Sequence, residues 1–178
     1  MQVICREGKR EDLLAQLAAH RLDIVLADEP PSSSANIRVF DHRLGDTGCL
    51  FCASRKLAAR LEPGFPRSLD GAPALLPAEN APQRRAVETW LRGRKVRPRV
   101  VAEFEDPAMM KVMAAEGRGL IVLPAAAAGV VLKRYGLRVF GRADDCRVSF
   151  HAFTAQRQIE HPAVAAITRS TAWQEEAG

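Results

Sequence analysis

What the chain lacks narrows it first. Among its 178 residues no apolar run approaches the roughly 18 needed to cross a bilayer. The opening MQVICREGKR has neither the apolar core nor the small-residue cleavage site of a secretory signal, so a cytoplasmic chain with no membrane partner is expected. Four cysteines, Cys5, Cys49, Cys52 and Cys146, are too few and too irregularly spaced for a disulfide framework, and free thiols are the expectation. Glycine and proline, 12 and 11 residues, fall short of the levels that mark disorder. No P-loop, no G-x-G-x-x-G fingerprint and no G-x-S-x-G elbow occurs; EGRGL carries glycines without the required spacing. Nucleotide chemistry and a positioned serine nucleophile therefore have no support, and no cofactor is implied.

What remains is ordinary globular material, 47% hydrophobic and 26% charged, with a mean hydropathy of -0.13. A chain of this length buries about 70% of its unfolded surface as one domain, or as two lobes of one. The formal net charge of +5 is spread along the chain and speaks for solubility rather than for an acidic partner.

Periodicity orders the segments. MQVICRE alternates like a strand, KREDLLAQLAAHR sets Leu13, Leu14 and Leu17 on one helical face, and LDIVLAD is a continuous apolar run. Together they predict a βαβ unit with parallel strands. A loop at PPSSSAN, a strand at IRVFDH, a turn at LGDTG and an apolar strand at GCLFCAS follow, then a short helix at SRKLAARL. EPGFPRSLDGAP has the turn residues of a connection between lobes, and ALLP is a brief buried strand. PQRRAVETWLRGRK predicts a helix with Pro82 near its first position, and RPRVVAEFE a strand. The clearest helix start is Asp106-Pro107, an acidic cap followed by proline, leading into Met109, Met110 and Met113. GLIVLP, AAAAGVVLKRY, LRVFG and RVSFHAFTA read as strand, helix, strand and strand, and His161-Pro162 opens the last helix. Alternating strands and helices imply a mainly parallel α/β architecture whose ligand crevice lies beyond the carboxyl ends of the strands, at helix N-termini.

Few side chains carry a chemical signal. Cys49 and Cys52 form a C-x-x-C pair, but residues three apart in a strand face opposite sides and no second pair has metal-ligand spacing, so core packing is expected and no metal. His20, His42, His151 and His161 are scattered and read as structural or surface groups. The basic run RGRKVRPRV holds Arg92, Arg94, Lys95, Arg97 and Arg99 without interleaved aromatics, at a helix C-terminus where cations complement the dipole; a solvated face is expected. In EFED, Asp106 is the expected cap, while Glu103 and Glu105 share a strand face and form a candidate cation-binding or titrating pair beside the predicted crevice.

LLAQLAAHRLDIVLADEP, LGDTGCLFCA, EFEDPAMMKVMAAEGRGLIVLP and QIEHPAVAAI together resemble the effector-binding domain of LysR-type transcriptional regulators, most closely the NhaR group that activates sodium/proton antiporter genes. The resemblance spans nearly the whole chain. It implies a periplasmic-binding-protein-like (type II) fold of two lobes around a cleft, with lobe I at about 1–48 and 151–178 and lobe II at about 49–150. The implied effector site comprises Asp28, Glu79, Asn80, Arg84, Glu105, Asp106, Met109 and Pro124. Against the family pattern Met1 stands already inside a strand, so the fold is truncated at its N-terminus: the helix-turn-helix, the linker helix and the first strand and helix of lobe I are not among these residues. The implied role is a non-enzymatic sensor of a small-molecule or ion effector, sodium or pH in this branch, with DNA contacted only through a helix-turn-helix domain and with self-association as dimer or tetramer. The alternative on the same fold is a stand-alone small-solute-binding protein.

Overall fold

The computed structural model describes residues 2–30, 38–79, 81–157 and 161–169. Its elements run, in chain order, α1 (Arg10–Ala18), β1 (Val25–Ala27), β2 (Phe40–Ala53), α2 (Arg55–Leu61), β3 (Pro73–Pro77), α3 (Pro82–Arg94), β4 (Arg99–Phe104), α4 (Pro107–Ala115), β5 (Ile121–Pro124), α5 (Ala125–Tyr135), β6 (Arg138–Thr154) and α6 (Pro162–Thr168). The chain divides into two compact units, residues 1–46 with 149–174 and residues 47–148 with 175–178. It passes from one unit to the other within the two long strands, β2 and β6.

In the first unit, Leu14 and Leu17 of α1 pack with Val25 and Phe153 into a small core. β1 is only three residues long and pairs antiparallel with β6, Val25 opposite Phe153 and Ala27 opposite His151. The expected opening βαβ unit is therefore absent. Residues 2–9 form no strand, and Val3 and Ile4 are 69% and 72% exposed. A β-branched alternating run becomes a strand only beside another edge, and no described strand pairs with this one. Most of the loop expected at PPSSSAN lies outside the described residues.

The second unit carries one parallel pair of the kind the alternation predicts, but the pairings of β1 with β6 and of β2 with β5 are antiparallel, so the mainly parallel architecture expected from the sequence is not what forms. β3 and β4 pair in parallel from Pro73 opposite Arg99 to Pro77 opposite Phe104, with α3 as the crossover. Leu120, leading into β5, bridges to Ala74 in parallel on the other side of β3, and Leu75 N donates to Leu120 O at 2.9 Å. That approach needs Gly119, where a Cβ would stand 2.9 Å from Leu75 Cγ and 3.0 Å from Pro73 O. β5 in turn pairs antiparallel with β2, Cys49 opposite Pro124 and Cys52 opposite Ile121. Cys52, Leu75, Met110, Ala114, Ile121, Leu123, Ala128 and Leu137 form one apolar core. A second cluster stacks Phe51, Phe65, Trp90 and Phe140, with ring centroids 5.1–6.3 Å apart.

Two expected breaks are not there. β2 runs straight through LGDTG, because Leu44, Thr47 and Cys49 are buried (8%, 0% and 0% exposed) and burial overrides the turn propensity of Gly45, Asp46 and Gly48. β6 likewise joins the two strands expected at LRVFG and RVSFHAFTA. Gly141 there is no strand end; a Cβ at this position would meet the Phe65 ring at 2.3 Å, so the glycine makes room for an aromatic side chain. EPGFPRSLDGAP connects no units. Its short 3-10 turns, Glu62–Gly64 and Arg67–Leu69, lie wholly within residues 47–148.

Candidate functional site

Three neighbouring strands of the second unit, β4, β3 and β5, end at the same side and each leads directly into a helix, α4, α3 and α5 respectively. At the end of an α/β sheet such turns expose the first backbone N–H groups of each helix and the positive ends of their dipoles.

Each helix start is held by a different device. At α4, Asp106 has the extended backbone of an N-cap and its Oδ1 accepts from Ala108 N at 2.7 Å, while Pro107 presets the first turn. The cap expected from the sequence is therefore present. At α5, Pro124 offers no side-chain cap, and Ala126 N instead donates to Oγ1 of the fully buried Thr47, reaching from β2 at 3.1 Å. At α3, Ala81 precedes Pro82 with no side-chain cap, and the turn is braced by backbone bonds, Ala78 N to Phe104 O and Ala81 N to Ala78 O, both 2.9 Å. Gln83 Nε2 donates to Val122 O at 2.7 Å, tying the start of α3 to β5.

Arg84 is the centre of this brace. It is 6% exposed, donates through Nη1 to Pro77 O at 2.8 Å and through Nη2 to Glu103 Oε1 at 3.0 Å, and pairs through Nε with Glu88. Burial alone pulls its pKa down, but the hydrogen bonds and charges of Glu88 and Glu103 outweigh that and leave it raised, so the guanidinium stays charged. All three of its nitrogen groups are engaged inside the unit. Glu103, half of the expected carboxylate pair, is thereby committed to Arg84, whereas Glu105 stands exposed just past β4.

The other expected residues fall as follows. Glu79, Asp106 and Met109 are exposed in the α3 and α4 turns, and Pro124 is half-buried at the start of α5. Asp28 follows β1 in the first unit. Asn80 lies outside the described residues. Thr47 and Gln83 had no sequence signal, because their partners are 79 and 39 positions away and only the fold brings them together; Glu88, four positions from Arg84 on α3, stands at the spacing of a helical ion pair.

The remaining motifs resolve into structure. His151 is buried with Nδ1 2.8 Å from Asp41 Oδ1, and His42 Nε2 lies 2.8 Å from Thr154 Oγ1. The basic run is solvent-facing: Arg92, Arg94, Lys95, Arg97 and Arg99 are exposed, with Arg94 paired to Asp145 at 2.6 Å and lying 5.2 Å over the Trp90 ring. None of the four cysteines forms a disulfide, and burial pushes the Cys52 thiol up to about 12. Among the described residues no group of three or more histidine, cysteine or acidic side chains is placed to hold a metal, and no helix is long and apolar enough to cross a membrane.

Comparison with known proteins assigns the family. The chain is 29% identical over 163 residues to the transcriptional activator protein NhaR of Escherichia coli (strain K12), and equally to NhaR of Shigella flexneri, covering 92% of this chain and 53% of each relative. It thus spans about half the length of the curated relatives it matches. Among solved structures it resembles the regulatory domain of HypT from Salmonella typhimurium, with a TM-score of 0.66 at 16% identity over 93% of this chain and 79% of that one. The CcmR regulatory domain of Synechocystis PCC6803 gives a TM-score of 0.63 at 18% identity over 90% and 80%. These likenesses establish a LysR regulatory-domain fold of the type II periplasmic-binding-protein kind. The model of the LysR substrate binding domain matches residues 1–171, and the chain belongs to that family.

Proposed function

We propose that this chain is the effector-sensing part of a cytoplasmic LysR-type transcriptional activator, that it performs no catalysis, and that DNA is read by a separate helix-turn-helix domain. The observation that carries the reading is that β3, β4 and β5, linked by the β3–β4 pairing and the Ala74–Leu120 bridge, each lead into a helix on the same side, with Arg84 bracing the α3 turn; we take Glu79, Glu105, Asp106, Met109 and Pro124, in or beside those turns, as the effector-site residues. The similarly folded CcmR domain was solved in complex with 2-PG, which supports a small effector as the ligand class. The likeness to NhaR, together with the antiporter-gene branch that the sequence resembles, leads us to take sodium or pH as the signal.

The arrangement favours sodium over an anion at the α4 turn. Asp106 already neutralises the N-terminus of α4 and Thr47 satisfies that of α5. The exposed carboxylate of Glu105 beside them supplies the oxygen atoms that a hard cation takes, while Glu103 is held by Arg84. Binding then shifts the chain between two conformational populations, to the extent that the cation prefers one of them. Calorimetric titration with sodium chloride, matched by potassium chloride at equal ionic strength and repeated from neutral to alkaline pH, tests this. A sodium-specific heat that disappears in Glu105→Gln is the expected result. Equal responses to the two salts would overturn sodium as the signal, and an unchanged response in Glu105→Gln would remove that residue from the site.

A further inference from the structure

Arg85, Thr89 and Gly93, spaced i, i+4 and i+8 on α3, share one helical face. That face and residues 145–147 of β6 line a surface cavity of about 550 Å³ that lies wholly within the second unit. The cavity runs along the body of α3, whereas the strand-to-helix turns take only its start. Its chemistry is cationic. Arg85, Arg94 and Arg147 are exposed along it, and Asp145 is the one acid among the described residues that line it.

Asp145 is already committed. Its Oδ1 accepts from Trp90 Nε1 at 2.7 Å, its Oδ2 pairs with Arg94 at 2.6 Å, and the Arg94 guanidinium lies 5.2 Å over the Trp90 ring. These contacts fix the shape of the Arg94 end and match the one acid with one base. Arg85 on α3 and Arg147 on β6 add a positive charge to each wall. Gly93 is a second, independent sign. A glycine within a helix destabilises it relative to alanine, and a Cβ here would meet nothing within 4 Å, so packing does not call for glycine. Nor does Gly93 end the helix, because the left-handed cap position belongs to Lys95, with φ 57°. The missing side chain keeps the cavity wall open.

We propose that this cavity binds a small organic dianion, its charge carried by two carboxylates or by one phosphate ester, held between Arg85 of α3 and Arg147 of β6. Guanidinium groups engage either acid through paired N–H donors. The volume falls within the roughly 300–1,000 Å³ of small-molecule sites, and the carbon part of the ligand lies along Gly93 and Trp90. Binding here bridges a helix and a strand of one unit and does not depend on the cation site proposed at the α4 turn.

The test is two-dimensional NMR of the 178-residue chain titrated with succinate, glycerol 3-phosphate and acetate, all as potassium salts at constant ionic strength, so that sodium plays no part. The expected result is a saturable shift of the Trp90 indole N–H and of the amides at 85–94 and 145–147 with succinate or with glycerol 3-phosphate, the tighter of the two naming the acid. Acetate, with one charge, does not saturate over the same range. Arg147→Gln weakens the binding about tenfold. Gly93→Leu, which has room for its Cβ, fills the cavity and abolishes it. Circular dichroism reports whether each variant folds, and if Gly93→Leu does not, Arg147→Gln decides. Shifts that stay linear for both dianions, that are matched by acetate, that persist unchanged in either folded variant, or that centre on residues 104–109 would overturn the proposal.

Discussion

The two units of this chain reach their folds by different routes. The second is built from a parallel β-α-β crossover, a bridge from Leu120 to β3 made possible by Gly119, and two apolar clusters, one of them four aromatic rings around Phe51. The first has a core of four buried residues, a three-residue strand, and an opening stretch that leaves Val3 and Ile4 in solvent. Local pattern suffices where neighbouring segments supply one another's partners, as β3, α3 and β4 do. Where a segment such as residues 2–9 has no paired edge among the described residues, the same pattern yields no strand.

Substitutions sharpen that contrast in order of effect. Phe51→Ala in the second unit removes a fully buried ring in contact with Phe65, Trp90 and Phe140 and is expected to cost about 3–5 kcal/mol, read from urea denaturation. Arg84→Met breaks the brace between Pro77, Glu88 and Glu103; because Glu103 is 42% exposed and regains water, the expected loss is about 1–2 kcal/mol, with faster amide exchange at the α3 turn as the accompanying sign.

A smaller effect is expected at Asp145, whose pKa is held below the usual aspartate range by the hydrogen bond from Trp90 Nε1 and by Arg94. A depressed carboxylate stabilises the fold above its unfolded value, about 3.9, and loses that contribution as pH falls through the lower folded value. The unsubstituted chain is therefore expected to lose more stability than Asp145→Asn on acidification below about pH 4, measured by thermal denaturation at a series of pH values. Val3→Ser and Ile4→Ser in the first unit are expected to stay within about 0.5 kcal/mol; a loss comparable to that of Phe51→Ala would show that these side chains are not the exposed groups described.

Much of the second unit is legible in the chain itself. Asp106-Pro107 announces α4, Pro82 announces α3, and the short apolar runs ALLP and IVLP are β3 and β5. The misreadings have one physical origin. Gly45, Asp46 and Gly48 look like a turn, and Gly141 like a strand end, when only local propensity is weighed. In the fold the first three lie in a strand whose neighbours are buried, and the last yields space to Phe65, a residue 76 positions away. The candidate site divides the same way. Glu105 and Asp106 follow from strand-to-helix grammar, whereas Glu79 came only from the family resemblance. That Arg84 also reaches Pro77 and Glu103, and that Thr47 caps a helix from another strand, are tertiary facts with no local trace.

The central claim, that the effector is sensed at the three strand-to-helix turns of the second unit, is tested most directly by hydrogen–deuterium exchange of this chain in sodium chloride and in potassium chloride at equal ionic strength. Sodium-dependent protection confined to the turns around 78–84, 104–109 and 124–127, and its loss in Glu105→Gln, is expected. Protection confined to residues 2–30 and 149–157, or none that distinguishes the two salts, would contradict it.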